Sequence, residues 1–462
     1  MQKIVTKYGL AAHLALLAVA PLFLFPFCGE GTVAYVLLWL SALAMAWTLM
    51  EPSVLEDEMP HDARRRVWGG ICRDPLFWAM LVIVVAVGVR ALNDGVALMY
   101  DAEAMKWDLR KAVMPLMPSS VRSVGFLPFS AAVALCVVLM AIRHAMGKSS
   151  RMAFVLLSSA LAGASALVNL LSYFSGHAGV SALLSGDGAS RTFSAISYGV
   201  YFLGGSVALI GAFERQWNRA MPLLVLSVGG TGAGLYAFGT PEAIAVFALA
   251  DLPIFLYSFF FGHKVLHRSG EFKCLVVYGL SLTIASVAIM AILPKPMVMA
   301  KLTQITAANF LTDGFMELRG VLSEIALRTW KTEPWLGSGL GSFGLEVRLN
   351  ATEANWLVIP HGQASALNGW WQLLAERGIV GAVMVALPVG MLFVSYAIGV
   401  WRGIVSRWLP HPMCFVGVFA LAAAVTMAFV DTTFLRPETV LGVCAMMALS
   451  ANSFPKEKIT NG

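Results

Sequence analysis

The sequence predicts an all-α polytopic membrane protein: about twelve transmembrane helices and one long, partly helical outer loop. Three observations carry that prediction. Of 462 residues, 58% are apolar and only 13% are charged, half the roughly 25% charge of a soluble domain. The mean hydropathy is +0.76. Apolar stretches long enough to cross a hydrocarbon core of about 30 Å as helices recur along the whole chain.

The apolar runs place spans at 9–28, 31–50, 75–92, 124–142, 152–174, 193–213, 221–238, 242–262, 274–293, 378–400, 412–430 and 439–451. Lys3 and Lys7 precede the first run. That run shows no small-x-small cleavage site and reads as a retained helix. The net charge of +6 is a topology signal, because excess Lys and Arg gathers in cytoplasmic loops; it is no nucleic-acid footprint. With the N-terminus inside, inner segments hold 18 Lys and Arg and the short outer segments hold 6. Both termini are therefore expected in the cytoplasm. The six cysteines (28, 72, 136, 274, 414 and 444) show neither CxxC nor metal-ligand spacing, so no disulfide framework or zinc site is expected.

Three regions follow: 1–293 with nine helices, 294–377 as the long outer loop, and 378–462 with three helices and a cytoplasmic tail. A loop of this length is where function concentrates. Within it, 313–331 has apolar positions at 315, 318, 322, 325, 326 and 330, close to a helical period. The stretch EPWLGSGLGSFG breaks that helix. A second helix is expected from Pro360, a favoured first-turn residue. On it His361, Ser365, Asn368, Gln372 and Glu376 share an arc of roughly 80°. This polar stripe fits either a solvated face or the wall of a wet cavity.

Two segments resemble the O-antigen ligase and polymerase superfamily of bacterial membrane glycosyltransferases. RGVLSEIALRTWKTEPWLGSGLGSF is similar to its pattern of arginine, amphipathic helix, Trp, and Pro-x-x-Gly-x-Gly-x-x-x-Phe, with Arg319 in the arginine's place. NGWWQLLAERGIVG is similar to its Asn-x-x-x-Gln-x-x-x-Glu-x-Gly-x-x-Gly segment, through Asn368, Gln372, Glu376, Gly378 and Gly381. Arg191 resembles the arginine that opens another outer loop. The resemblance covers roughly residues 319–390. The ligase pattern has a histidine directly before the Asn; this chain has Leu367 there, and His361 is the nearest histidine.

The resemblance implies a glycan donor on undecaprenyl diphosphate, an acceptor sugar hydroxyl on a lipid-linked glycan or on lipid A-core, and an active site at the periplasmic face of the bacterial inner membrane. It implies no cofactor and no metal. Diphosphate is a good leaving group whose developing charge arginines can stabilise, which makes Arg191, Arg319 and Arg328 the candidate diphosphate ligands. Arg328 lies nine residues from Arg319 and on the opposite helix face. Asn368 and Gln372 are candidate glycan contacts. The acceptor hydroxyl needs a base near neutral pH, for which His361 is suited, with Glu376 and Glu324 as substitutes. The displaced histidine tilts the reading towards a repeat-unit polymerase over a ligase. Twelve spans with both ends inside also fit a lipid-linked oligosaccharide flippase, but no internal symmetry is visible.

Without the resemblance the same residues have simpler readings. Arg191 fits a snorkelling anchor, Arg319 and Arg328 a solvated helix face, and His361 an ordinary helix-start histidine. Gly337, Gly339 and Gly341 lack a following GK[ST] and fit a structural turn. Arg90 is expected to snorkel from its span end. Asp251, in mid-span, is expected to face a partner inside the bundle.

Overall fold

The computed structural model describes residues 45–52, 59–101, 105–111, 118–121, 126–174, 196–208, 221–265, 313–351, 365–405, 410–429 and 437–454, with positions 39, 42, 43, 279, 283 and 359. The expected spans 9–28 and 274–293 lie outside these residues, apart from Gly279 and Thr283. The described chain is mostly helical. In order it runs α1 Pro60–Arg73, α2 Pro75–Leu92, β1 Val96–Asp101, β2 Lys106–Lys111, α3 Leu127–Met140 and α4 Lys148–Phe174. Next come α5 Ile196–Ala208, then α6 Met221–Val225, α7 Thr231–Phe238, α8 Pro241–Val265, α9 Asp313–Thr332, α10 Phe343–Asn350, α11 Gly369–Val405, α12 Met413–Ala428 and α13 Pro437–Ala451.

Among the described residues, three helices are long and apolar enough to cross a membrane: Pro75–Leu92, Pro128–Ala145 and Gly369–Val405. Five shorter apolar helices accompany them: Arg151–Leu167, Ile196–Ala208, Pro222–Ala237, Met413–Ala428 and Thr439–Ala451. Large apolar side chains also point outwards, among them Val82 and Val85 on α2, Leu249 and Leu252 on α8, and Val383 and Val394 on α11. A surface of this kind is costly in water and natural against lipid. The architecture is that of an apolar helical bundle of membrane type.

Inside the bundle, small residues let backbones touch. A Cβ on Gly163 of α4 would fall 1.8 Å from the Leu226 carbonyl oxygen, where a π-helical turn, Leu226–Gly230, joins α6 to α7. Close backbone approach of this kind substitutes for the hydrophobic drive that lipid does not supply. Polar groups are paired locally. Ser450 Oγ donates to the Met413 carbonyl and accepts from Gly417 N–H, tying α13 to α12.

One end of the bundle is built around Asp74. Its carboxylate caps α2 through Leu76 N–H at 3.0 Å and accepts from Arg143 Nε at 2.7 Å. It also lies 2.8 Å from His144 Nε2. Arg143 and His144 sit in a π-helical turn, Ala141–Ala145, that continues α3. The end of the chain joins them: Arg151 Nη1 donates to the Asn452 carbonyl at 2.6 Å, and Phe454 packs edge-on against Tyr396 of α11.

The other end departs from the expected all-helical plan. β1 and β2 form an antiparallel hairpin, with Val96 opposite Lys111 and Tyr100 opposite Trp107, the two rings 5.5 Å apart. In VALMYD and KWDLRK the side chains alternate across the ribbon, but only KWDLRK shows that period in its sequence. Residues 118–121 then join the hairpin to the membrane helices. Ser120 N–H donates to Asn93 O, Val96 N–H donates to Ser120 O, and Ser120 Oγ donates to the Arg90 carbonyl.

Candidate functional site

The two segments that carry the motifs are folded onto each other above the end of α2. The unit starts from a defect in α11. Gly378 has φ 63° and ψ −170° inside that helix, a left-handed backbone that glycine adopts without a Cβ penalty. The break frees carbonyls before it and N–H groups after it. The glycine loop satisfies both sets. Ser338 N–H donates to Ala375 O at 2.9 Å and Gly339 N–H to Glu376 O at 3.1 Å. In return Ile379 N–H donates to Pro334 O at 2.9 Å and Val380 N–H to Trp335 O at 3.1 Å. A Cβ on Gly378 would stand 2.3 Å from the Trp335 oxygen. The glycine run therefore serves a turn that locks a broken helix.

Side chains complete the lock. The Glu376 carboxylate accepts Gly341 N–H at 3.0 Å and Gln372 Nε2 at 2.9 Å. Gln372 Oε1 in turn accepts Ala366 N–H. Ser338 and Ser342 share a 2.6 Å hydrogen bond beneath the loop. Leu340 N–H donates to Ser119 O, and Val121 N–H donates to Leu340 O. The glycine loop is thus held between residues 118–121 and α11.

Above it lies α9, whose expected apolar positions 318, 322, 325, 326 and 330 face inwards. Leu322, Ile325 and Ala326 are buried with Phe343, Val347 and Ala375 in a separate small core. Trp330 and Trp371 approach within 6.5 Å. Arg319 is half-buried on this helix, one turn before Leu322.

The expected site residues fare differently. Arg191 and His361 lie outside the described residues, as does Pro360. The helix expected from Pro360 begins instead at Gly369. Asn368 caps it: its Oδ1 accepts Trp370 N–H at 3.1 Å and Trp371 N–H at 3.2 Å, an N-cap role for which Asn ranks among the best residues. Leu367, just before it, has φ 51°. Ser365 lies before the cap and outside α11, so the five-residue stripe is not one helical face. Gln372 and Glu376 turn inwards: Glu376 accepts from the glycine loop at Gly341, and Gln372 bridges Glu376 to Ala366 N–H. Glu324 and Arg328 are exposed and paired with each other across one turn at 2.5 Å.

Sequence reasoning missed two residues. Arg90, expected to snorkel, is only 5% exposed and donates through Nη2 to the Arg377 carbonyl at 3.2 Å. The charges it feels are the Arg377 guanidinium and Glu376. The buried Nε atoms of Arg90 and Arg377 have no hydrogen-bond partner among the described residues. Two guanidiniums at one helix junction, beside a carboxylate already bonded to Gly341 and Gln372, leave donors for an anion. A lone arginine within an apolar run was the available signal for Arg90; nothing in the pattern singled out Arg377.

No protein-family model matches the chain, and a search of curated proteins finds no match. The resemblance therefore rests on the motif residues themselves.

Proposed function

We propose that the chain is a membrane glycosyltransferase that moves a glycan from undecaprenyl diphosphate to a sugar hydroxyl at the periplasmic face of the inner membrane, as a repeat-unit polymerase of surface polysaccharide. One observation carries the reading: the two motif segments are docked as one unit at an end of the apolar bundle, with Arg90 buried and Arg377 half-buried beside it. The acceptor oxygen attacks the anomeric carbon, the bond to the diphosphate oxygen breaks, and the hydroxyl proton passes to a base. Arg319 and Arg191, with Arg90 and Arg377, are the proposed ligands for the departing charge, since guanidinium donors stabilise it without a metal. His361 is the proposed base. Glu376 is assigned a positioning role, because Oε2 accepts from Gly341 of the glycine loop and Oε1 from Gln372. The exposed Glu324–Arg328 pair is assigned no role in transfer.

The test is the lipopolysaccharide ladder of a deletion strain complemented with wild type or Arg319→Ala. Loss of long chains with a single repeat left on core supports a polymerase. Loss of every attached repeat, with polymer stranded on the carrier, assigns a ligase instead. An unchanged ladder in the deletion strain rejects both.

A further inference from the structure

At the end of the bundle opposite the glycine loop there is a cavity of about 260 Å³, lined by Arg143, Ser395, Ile398, Arg402, Asn452 and Phe454 together with small residues. Its polar wall is rich in donors. Asp74 holds Arg143 through Nε, and the remaining guanidinium nitrogens of Arg143 have no protein acceptor among the described residues. Asn452 Nδ2 is buried and has no partner there either. Ser395 Oγ instead donates to Met391 O. Arg402 stands across the cavity in the last turn of α11. His144 and Arg151 flank the site, the first on Asp74 and the second on the Asn452 carbonyl. Asp74 therefore offsets part of a cationic cluster contributed by three separate segments.

The apolar wall says which anion fits. Ile398 lines the cavity and is also 47% exposed. Val394, Leu387 and Val383 are exposed on the same face of α11, within roughly a 60° arc at 100° per residue, and lead from the cavity towards the middle of the helix. A phosphate in the cavity would have an apolar stripe running away from it along α11, the arrangement that a headgroup with acyl chains requires. Basic pockets between helices on the cytoplasmic side are a general means of binding anionic headgroups. The Lys and Arg distribution puts this end on that side.

We infer that the Arg143–Arg402–Asn452 cavity binds the phosphate of an anionic membrane phospholipid, with the acyl chains along the Ile398–Val394–Leu387–Val383 face of α11. The bound lipid would staple α3, α11 and the chain end together. This site is separate from the proposed transfer site and does not depend on it.

The test compares purified protein in nanodiscs of phosphatidylglycerol with protein in nanodiscs of phosphatidylcholine, reading thermal unfolding and lipid retained after delipidation by intact-protein mass spectrometry. The expected result is selective retention of phosphatidylglycerol and a higher melting temperature. Arg402→Gln, at an exposed position, should weaken retention about tenfold, the worth of one charge-assisted hydrogen bond, and Asn452→Asp should weaken it further. Equal retention of both lipids, or unchanged retention in both variants, would overturn the inference. Inorganic phosphate that stabilises detergent-solubilised protein as well as the lipid does, and is lost with Arg402→Gln, would keep the phosphate site and overturn the lipid as its source.

Discussion

Glu376 and Gly341 are 35 residues apart in sequence, yet the Glu376 carboxylate accepts the Gly341 N–H at 3.0 Å. That bond closes the glycine loop over the break in α11. Glu376→Gln turns one carboxylate oxygen into a donor, which must face either Gly341 N–H or Gln372 Nε2, both already donors. A buried mismatch of this kind costs about 1–3 kcal/mol. We expect a lower melting temperature together with reduced transfer. A variant of wild-type stability with no transfer would instead make Glu376 the base.

Gly378 tests the same unit through the backbone. With φ at 63° and the Trp335 oxygen in the way of a Cβ, Gly378→Ala should destabilise the protein by about 1–3 kcal/mol. Gly390, further along the same helix, has open space around its Cα. Gly390→Ala should be neutral or slightly stabilising, by up to about 1 kcal/mol. Equal melting temperatures for the two variants would show that the break is not constrained by the loop.

The elements that could be read from the sequence are those with a strong local signal. Span 75–92 matches α2 residue for residue, because Asp74 and Pro75 mark its start and Asn93 its end. The 313–331 periodicity matches α9, Asp313–Thr332. Pro360 lies outside the described residues, and the helix that carries Gln372 and Glu376 begins at Gly369, where the hydrogen bonds of Asn368 cap it. The hairpin is hard to read because only KWDLRK alternates polar and apolar residues, while VALMYD carries a single charge at its end and lacks the strand period. Arg90 was misassigned because snorkelling and inward burial look alike in sequence; only the packing of α2 on α11 separates them. The docking of Gly341 on Glu376 is a long-range contact that no local pattern contains.

Asp74 sets a pH response. Burial works to raise its carboxyl pKa, but the bond to His144, the Arg143 charge and the Leu76 N–H outweigh it, and the pKa falls from 3.8 to about 2. A depressed carboxylate contributes stability above its ordinary value, and that contribution is lost as the pH falls through the folded value. The contribution, discounted for solvent screening, is about 1 kcal/mol. Between pH 4 and pH 2 the wild type should therefore lose more melting temperature than Asp74→Asn. Parallel curves for the two proteins would contradict this account of Asp74.

Arg90 and Arg377 separate anion binding from simple burial. Arg90→Lys keeps a charge but loses the planar fork. We expect transfer to fall about tenfold, the effect of one charge-assisted hydrogen bond, while the Arg377 carbonyl keeps a donor and the melting temperature changes little. A loss of stability with unchanged transfer would make Arg90 structural only.

Glycan transfer from a diphosphate carrier is tested at its leaving group. Purified protein is mixed with lipid-linked glycan extracted from its own host, and free undecaprenyl diphosphate is measured by mass spectrometry. Release should depend on wild-type protein and acceptor and fall about a hundredfold or more with Arg319→Ala, on the order of an oxyanion-stabilising donor removed. No release by the wild type, or release unchanged in Arg319→Ala, would contradict the proposed transfer.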